Sequence, residues 1–327
     1  MTPSAPVRVA PVRIGLVGAG LIARQHLLAM ARVPGLVAAG ISSRTKSKAG
    51  ELAAEFSIPL VADTPEELAA QVDALMVLVP PQTMAPMALR LLPLGRPLFL
   101  EKPVGLGAAE AEAVARAARE AGTPNMVGFN RRHYGVFAKG LEIIRSHGRL
   151  LAVHIEGSER MAVVRGLNRF SEEVVRGWLF ANATHTIDLL RHFGGEPEEV
   201  HALCASLREP LGDQFAACLR FPGGTLGSYV ANWHSPGGWG VVLKGEGVSV
   251  EFRPLETGRV TFADGGTQTL EPDAEESGIK AGFAGQLRAF EALVRTGRLA
   301  PPSQDLDGAL ATMRLAERLA ARPIPLA

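Results

Sequence analysis

Cysteine is almost missing from this chain of 327 residues, with Cys204 and Cys218 the only two. A disulfide framework or a zinc ribbon needs more, and the two thiols, on strand-like runs, read as buried. Charge of one sign is also missing. Thirty-four Lys and Arg face 33 Asp and Glu, a formal net charge of +1, and no long basic run occurs. Binders of nucleic acid or of anionic membrane concentrate cations on one face, so neither partner is expected. No stretch approaches the roughly 18 uninterrupted apolar residues of a membrane span. Residues 1–11 carry no apolar core of the kind a secretory signal needs. They read as a flexible N-terminal arm, and a cytoplasmic location is the expectation. There is no His-Glu-x-x-His helix, and His154, His185, His192 and His201 lack ligand-type spacing, so no metal is expected. The Gly-x-Ser-x-Gly elbow of a serine hydrolase is missing as well.

What is there is an ordinary globular composition, 47% hydrophobic and 20% charged, in a chain long enough for two domains. In residues 12–128, short apolar runs alternate with helical patterns. Strands are expected at 12–17, 36–42, 74–79, 97–100 and 125–128, and helices at 21–32, 45–56, 83–92 and 108–121. Such alternation means βαβ crossovers and a doubly wound parallel sheet. From 129 to 327 the texture changes. A helix at 134–146 and a strand at 150–158 precede a loop-like stretch to about 176 and a helix at 182–193. Strand-like runs then follow at 200–207, 215–221, 225–233, 241–252 and 259–270, punctuated by Gly, Pro and Asp as in an antiparallel meander. Helices at 283–295 and 304–321 close the chain. The expected fold is α/β: an N-terminal Rossmann domain, then an α+β domain on a large, mainly antiparallel sheet, holding substrate and the oligomer contact.

Gly18-x-Gly20-x-x-Ala23 directly follows the first strand and opens the first helix. The first Gly allows the tight turn, the second lets a pyrophosphate approach the backbone, and small Ala23 lets helix and strand pack closely. Gly18, Gly20, Leu21 and Ile22 are therefore expected against the phosphates of a dinucleotide, at the positive end of the helix. The second strand ends in Ile41-Ser42-Ser43-Arg44-Thr45-Lys46, without the carboxylate that would bind the ribose hydroxyls of NAD. Ser42, Ser43, Arg44 and Lys46 suit a 2′-phosphate, because guanidinium pairs with phosphate through charge-assisted bonds. The sequence thus predicts NADP in preference to NAD.

Four stretches make the chain similar to the Gfo/Idh/MocA oxidoreductases: Gly15-Leu-Val-Gly-Ala-Gly-Leu-Ile-Ala23, Glu101-Lys102-Pro103, Val127-Gly-Phe-Asn-Arg-Arg132 and Thr184-His185-Thr-Ile-Asp188-Leu-Leu. The closing Thr296-Gly297-Arg298 and Pro301-Pro302-Ser303 also fit. The resemblance implies that Lys102 is catalytic, lowering the hydroxyl pKa of an alcohol and stabilising the developing oxyanion, with Glu101 orienting it. It implies that His185 trades a proton with the substrate oxygen. Many members carry an acid one turn earlier, where this chain has Ala181 followed by Asn182, and a His where this chain has Met84. Pro80, Glu101, Lys102 and Asn130 are expected at the cofactor, and Lys102, Arg131, Tyr134, Thr184, His185 and Asp188 at the substrate, with a purely structural role equally open to Asp188. Arg131 and Arg132 suit either an anionic substrate group or the domain junction. Arg160, Arg165, Asn168 and Arg169 read as solvated loop residues.

The expected activity is NADP-dependent hydride transfer to or from a secondary alcohol or carbonyl of a sugar, cyclic polyol or sugar derivative. Two alternatives share the fold: a glycosidase that retains its nicotinamide, and a non-catalytic NADP-binding sensor. Net consumption of NADPH excludes the first, and turnover excludes the second. A homodimer or homotetramer through the C-terminal sheet is the expected assembly.

Overall fold

In the computed structural model, the described residues are 10–321 and the pair Ile324–Pro325. Residues 1–9 of the expected arm lie outside them. Ala10 and Pro11 are exposed.

The first part alternates β1 (Val12–Val17), α1 (Leu21–Met30), β2 (Leu36–Ser42), α2 (Lys46–Phe56), β3 (Val61–Ala62), α3 (Pro65–Ala70), β4 (Ala74–Val77), α4 (Pro81–Leu91), β5 (Leu98–Leu100), α5 (Ala108–Ala121) and β6 (Asn125–Val127). The strands pair in parallel in the order β3-β2-β1-β4-β5-β6, which reverses direction between β1 and β4. A ligand crevice opens at the carboxyl ends of the strands at such a reversal. β4 and β5 are buried throughout, as a sheet covered on both faces requires. The sequence reading passed over β3 and α3. A two-residue strand carries no periodicity, although Thr64 caps α3 by accepting from the Glu67 amide and Pro65 stands at its first position.

The second part holds α6 (Gly135–His147), β7 (Leu150–Gly157), α7 (Met161–Gly166), α8 (Glu172–Arg176), α9 (Thr184–Gly194), β8 (Glu199–Ser206), β9 (Gln214–Arg220), β10 (Leu226–Asn232), β11 (Trp239–Gly245), β12 (Val248–Phe252), β13 (Gly258–Phe262), β14 (Thr267–Leu270), α10 (Phe283–Thr296), α11 (Leu306–Leu319) and β15 (Ile324–Pro325). Its sheet has nine strands in the order β14-β13-β12-β11-β7-β10-β9-β8-β15. All pairs are antiparallel except β7 with β10 and β8 with β15. Two runs expected as single strands are hairpins, β11–β12 and β13–β14. Gly247 turns the first at φ +70°, in the left-handed region that a side chain disfavours. The expected loop to 176 contains α7 and α8. Of the two thiols, Cys204 is buried and Cys218 is exposed, which corrects the reading of both as buried.

Helices α6, α9 and α11 lie against the nine-stranded sheet. The other face of β8, β9 and β10 is open, with Leu203, Ala216, Leu226 and Val230 exposed on it. α10 returns to the first sheet. Its Phe283 stacks on His26 of α1, and its Phe290 meets Phe99 of β5 edge-on. No helix among the described residues is long and apolar enough to cross a membrane.

A buried carboxylate braces the seam between the two parts. Asp188 of α9 is buried and accepts from Arg132 Nε and Nη2 at 2.7 and 2.9 Å, from Thr312 Oγ1 of α11 at 2.9 Å, and from the Gln304 amide. The backbone carbonyl of Gln304 in turn accepts from the Val127 amide of β6 at 2.8 Å. Burial works to raise the Asp188 pKa, but the Arg132 guanidinium outweighs it and holds the carboxyl below its ordinary range. Asp188 is thus a brace, the structural of the two roles open to it. Removing one member of a buried pair leaves the other charge uncompensated. Asp188→Ala should therefore cost about 3–5 kcal/mol of stability in a urea unfolding experiment, and a loss below about 1 kcal/mol would show that the seam does not depend on it.

Candidate active site

The glycine-rich turn has the shape a dinucleotide needs. Gly18 takes φ +115°, and a Cβ there would stand 2.4 Å from the Leu78 carbonyl oxygen. No such obstacle surrounds Gly20, where an added Cβ meets nothing within 4 Å. Gly20 caps α1 with no side-chain hydrogen bond and no acid in the first turn, so the first amides of the helix lack an anionic partner. Leu21 is exposed, Ile22 is half-buried, and Pro80 is exposed at the start of α4 on the far side of the reversal. These features fit a pyrophosphate lying over the turn.

At the end of β2 the expected phosphate pocket does not form as the sequence suggested. The Ser42 residue is buried, and its carbonyl accepts from the Gly18 amide at 2.8 Å. The Ser43 hydroxyl accepts from the Thr45 amide at 3.3 Å. Lys46 is already engaged: its Nζ bonds Asp63 Oδ1 at 2.8 Å and the carbonyls of Ala62 and Asp63 at 3.2 and 2.9 Å. Arg44 stays exposed. Asp63 follows β3, the strand missed in the sequence, which is why this neutralising partner was not foreseen.

Glu101 and Lys102 directly follow β5, at the crevice. The Glu101 carboxylate accepts from His26 at 2.7 Å and from the Lys102 backbone amide at 3.2 Å, tying β5 to α1. It therefore orients Lys102 through the main chain. The Lys102 ammonium donates to the Ala181 carbonyl at 2.9 Å, with Asn182 Oδ1 at 3.5 Å. Burial, and next the Arg131 charge, push its pKa down to about 7, against the opposing pull of Glu101. Asn130 braces the junction, donating to the Ala281 carbonyl at 2.9 Å and accepting from Arg131 at 3.0 Å. Met84 is buried in the core.

Arg131 and His185 meet. Arg131 Nη1 donates to His185 Nε2 at 2.8 Å, while the guanidinium lies 4.5 Å over the Trp239 ring. A guanidinium has no lone pair to offer, so Nε2 must accept and the imidazole proton sits on Nδ1. Burial and the Arg131 charge hold the His185 pKa well below its ordinary value. His185 is thus a neutral ring whose Nε2 accepts from Arg131. Thr184 and Tyr134 also have partners within the protein. The Thr184 hydroxyl bonds back to the Phe180 carbonyl at 2.9 Å and is fully buried. The Tyr134 hydroxyl faces Glu256 at 3.4 Å, and burial pushes its pKa up to about 12. Arg165 pairs with Glu209 and Glu172.

The sequence reading missed Glu159. It follows β7 and is buried, accepting from Asn182 Nδ2 at 2.8 Å. Burial raises its pKa to about 7, and Lys102 and Arg131 lie near enough to oppose that rise. Nothing in the local sequence marks it, because it stands 22 residues from the Ala181 position where an acid was sought. Among the described residues no group of three His, Cys, Asp or Glu gathers to hold a metal.

Comparison with known proteins agrees with this layout. A family model described as "Oxidoreductase family, NAD-binding Rossmann fold" matches residues 12–129, and the GFO/IDH/MocA C-terminal domain model matches residues 143–251. A 4-carboxy-2-hydroxymuconate-6-semialdehyde dehydrogenase of a Sphingobium species is 29% identical over 211 residues. That match spans 62% of this chain and 65% of the relative, just under two thirds of its length. The scyllo-inositol 2-dehydrogenase (NAD(+)) of Bacillus subtilis is 25% identical over 317 residues, 91% of this chain and 90% of that protein. Levoglucosan dehydrogenase, solved in complex with NADH and levoglucosan, superposes with a TM-score of 0.81 at 20% identity, covering 94% and 96% of the two chains. Such a likeness establishes the fold. The NADH in that structure overturns the expectation of NADP, in keeping with the Lys46–Asp63 pairing. From the two matched models, the nine-stranded second sheet and the reversal of strand order at the glycine turn, the chain belongs to the Gfo/Idh/MocA oxidoreductase family.

Proposed function

We propose that this oxidoreductase uses NAD and moves hydride between the nicotinamide and a secondary alcohol, or the matching carbonyl, of a sugar or cyclic polyol. One observation carries the reading: an amine with a pKa near 7, Lys102, stands at the end of β5 between the dinucleotide turn and α9. A general base works best when its pKa lies near the working pH. The relatives named for inositol and levoglucosan support the substrate class.

The cofactor supplies the hydride acceptor for alcohol oxidation and the donor for the reverse. The chain's own residues handle the proton. In oxidation, the Lys102 amine takes the hydroxyl proton as hydride leaves the same carbon. Arg131 offers a fixed positive charge for the oxyanion that develops, and charge placed beforehand needs no reorganisation during the reaction. His185 holds Arg131 in place from one side and Trp239 from the other. In carbonyl reduction the Lys102 ammonium returns the proton.

The open face of β8–β10 supports assembly with a second copy. Leu203, Ala216 and Val230 form a cross-strand row there, next to a row of His201, Cys218 and Ser228. Such an apolar patch, with polar neighbours, marks a protein contact. Leu203→Arg should shift the assembly toward monomer in analytical ultracentrifugation, and an unchanged sedimentation coefficient would place the contact elsewhere.

Lys102→Met should lower turnover by roughly 10²–10⁴-fold while NADH binding persists. With the native enzyme, alcohol oxidation should rise as pH passes upward through about 7, because the free amine is the active form. Carbonyl reduction should fall over the same range, since it needs the ammonium. Normal turnover by Lys102→Met, or a flat pH profile, would count against this assignment.

A further inference from the structure

Just before α9 the chain makes a five-residue π-helical turn, Leu179–Ala183. Such insertions re-aim the groups they carry and recur at functional sites. This one presents two acceptors to the same ammonium, the Ala181 carbonyl and Asn182 Oδ1. On its other side the Asn182 amide donates to Glu159. The amide can stand only this way round, because a flip would set its NH2 against the ammonium and its oxygen against the carboxylate. Cation, amide and carboxylate therefore form one chain running from β5 through the π turn to the end of β7.

We propose that Glu159 is a positioning residue for Lys102, acting through Asn182: it locks the amide oxygen onto the ammonium, and its negative charge favours the ammonium over the free amine.

The consequence for catalysis rests on the dehydrogenase reading; the link between the two groups does not. Lys102 and Arg131 are the cations that face Glu159, and Asn182, Trp178 and Tyr229 stand beside it. Lys102 also feels Arg131, Glu101 and Lys280. Glu159 is the neighbour whose own titration, raised by burial to about 7, overlaps that of Lys102. A negative charge on Glu159 favours the ammonium and delays release of its proton, and the ammonium reciprocally favours the carboxylate.

An infrared pH titration of the cofactor-free protein tests the link directly. The protonated-carboxyl band that vanishes in Glu159→Gln belongs to Glu159; if that variant does not fold, Glu159→Asp shifts the band and serves the same purpose. In the native protein this band should fade near pH 7. In Lys102→Met, and in Asn182→Ala, the fading should move upward by about one pH unit, since each loses a group that favours the charged form. An unmoved midpoint in both variants overturns the proposal. In turnover assays with NAD+, Glu159→Gln should move the acid limb of alcohol oxidation downward by about one unit, whereas a purely structural residue would change the rate without moving the limb. A moved infrared midpoint in a protein that oxidises no sugar or polyol keeps the link and removes the dehydrogenase reading. Turnover with an unmoved midpoint and limb does the reverse.

Discussion

A carboxylate buried between four elements is the constraint on which the site depends. Asp188 holds α9 to Arg132 at the end of the first sheet's last connection and to α11 through Thr312, while Gln304 links it to β6. Arg191, one turn further along α9, is fixed by the same Gln304 side chain and by Thr312. α9 carries His185, and the π turn leading into it carries the two acceptors of Lys102. A shift of α9 by a few tenths of an ångström would loosen every contact that aims the amine. Catalytic geometry tolerates such slack poorly, because a well-oriented encounter supplies much of the rate. The same carboxylate that stabilises the fold thus sets the distance between the two halves of the site.

The seam so formed is buried and rich in cations. Lys102, Arg131 and Lys280 act on one another, and the pKa of each is depressed, chiefly by burial. The protein answers this crowding in two ways. His185 stays neutral and gives its lone pair to Arg131. Lys102 is brought to the edge of deprotonation at neutral pH, with the carboxylates Glu101 and Glu159 keeping it from going further. An ordinary surface lysine, with a pKa near 10.4, would hold its proton too firmly to serve as base. Burial at this seam is therefore what brings the pKa of a common side chain down to about 7.

Much of this was legible in the chain itself. The alternation of apolar runs and helices, with Gly18 and Gly20 after the first strand, specified the parallel sheet and its crevice. Glu101-Lys102-Pro103 and His185 pointed to side chains that the fold brings to the same seam. What failed did so for long-range reasons. Lys46 looked like a phosphate ligand until Asp63 arrived beside it from a two-residue strand. How one helix shares out its polar side chains was equally hidden: α9 turns Asp188 toward α11 and His185 toward Arg131. Glu159 was invisible because the acid was sought along α9, whereas the fold delivers it from the end of a strand in the second sheet. Two hairpins hid inside apolar runs, since a single turn at Gly247 or Gly265 does little to a hydrophobic pattern.

The reading of the crevice as an NAD site is the claim on which the proposed reaction stands. Parallel titration of the native protein with NADH and NADPH, followed by nicotinamide fluorescence, tests it most directly. A cofactor at a hundred times its Kd would also add about 2.7 kcal/mol of stability, a second readout in the same samples. The account predicts binding of NADH at least about tenfold tighter than NADPH, a gap of about 1.4 kcal/mol. Tighter binding of NADPH would show that Arg44 governs the end of β2 despite the Lys46–Asp63 pair, and binding of neither would contradict the dinucleotide site itself.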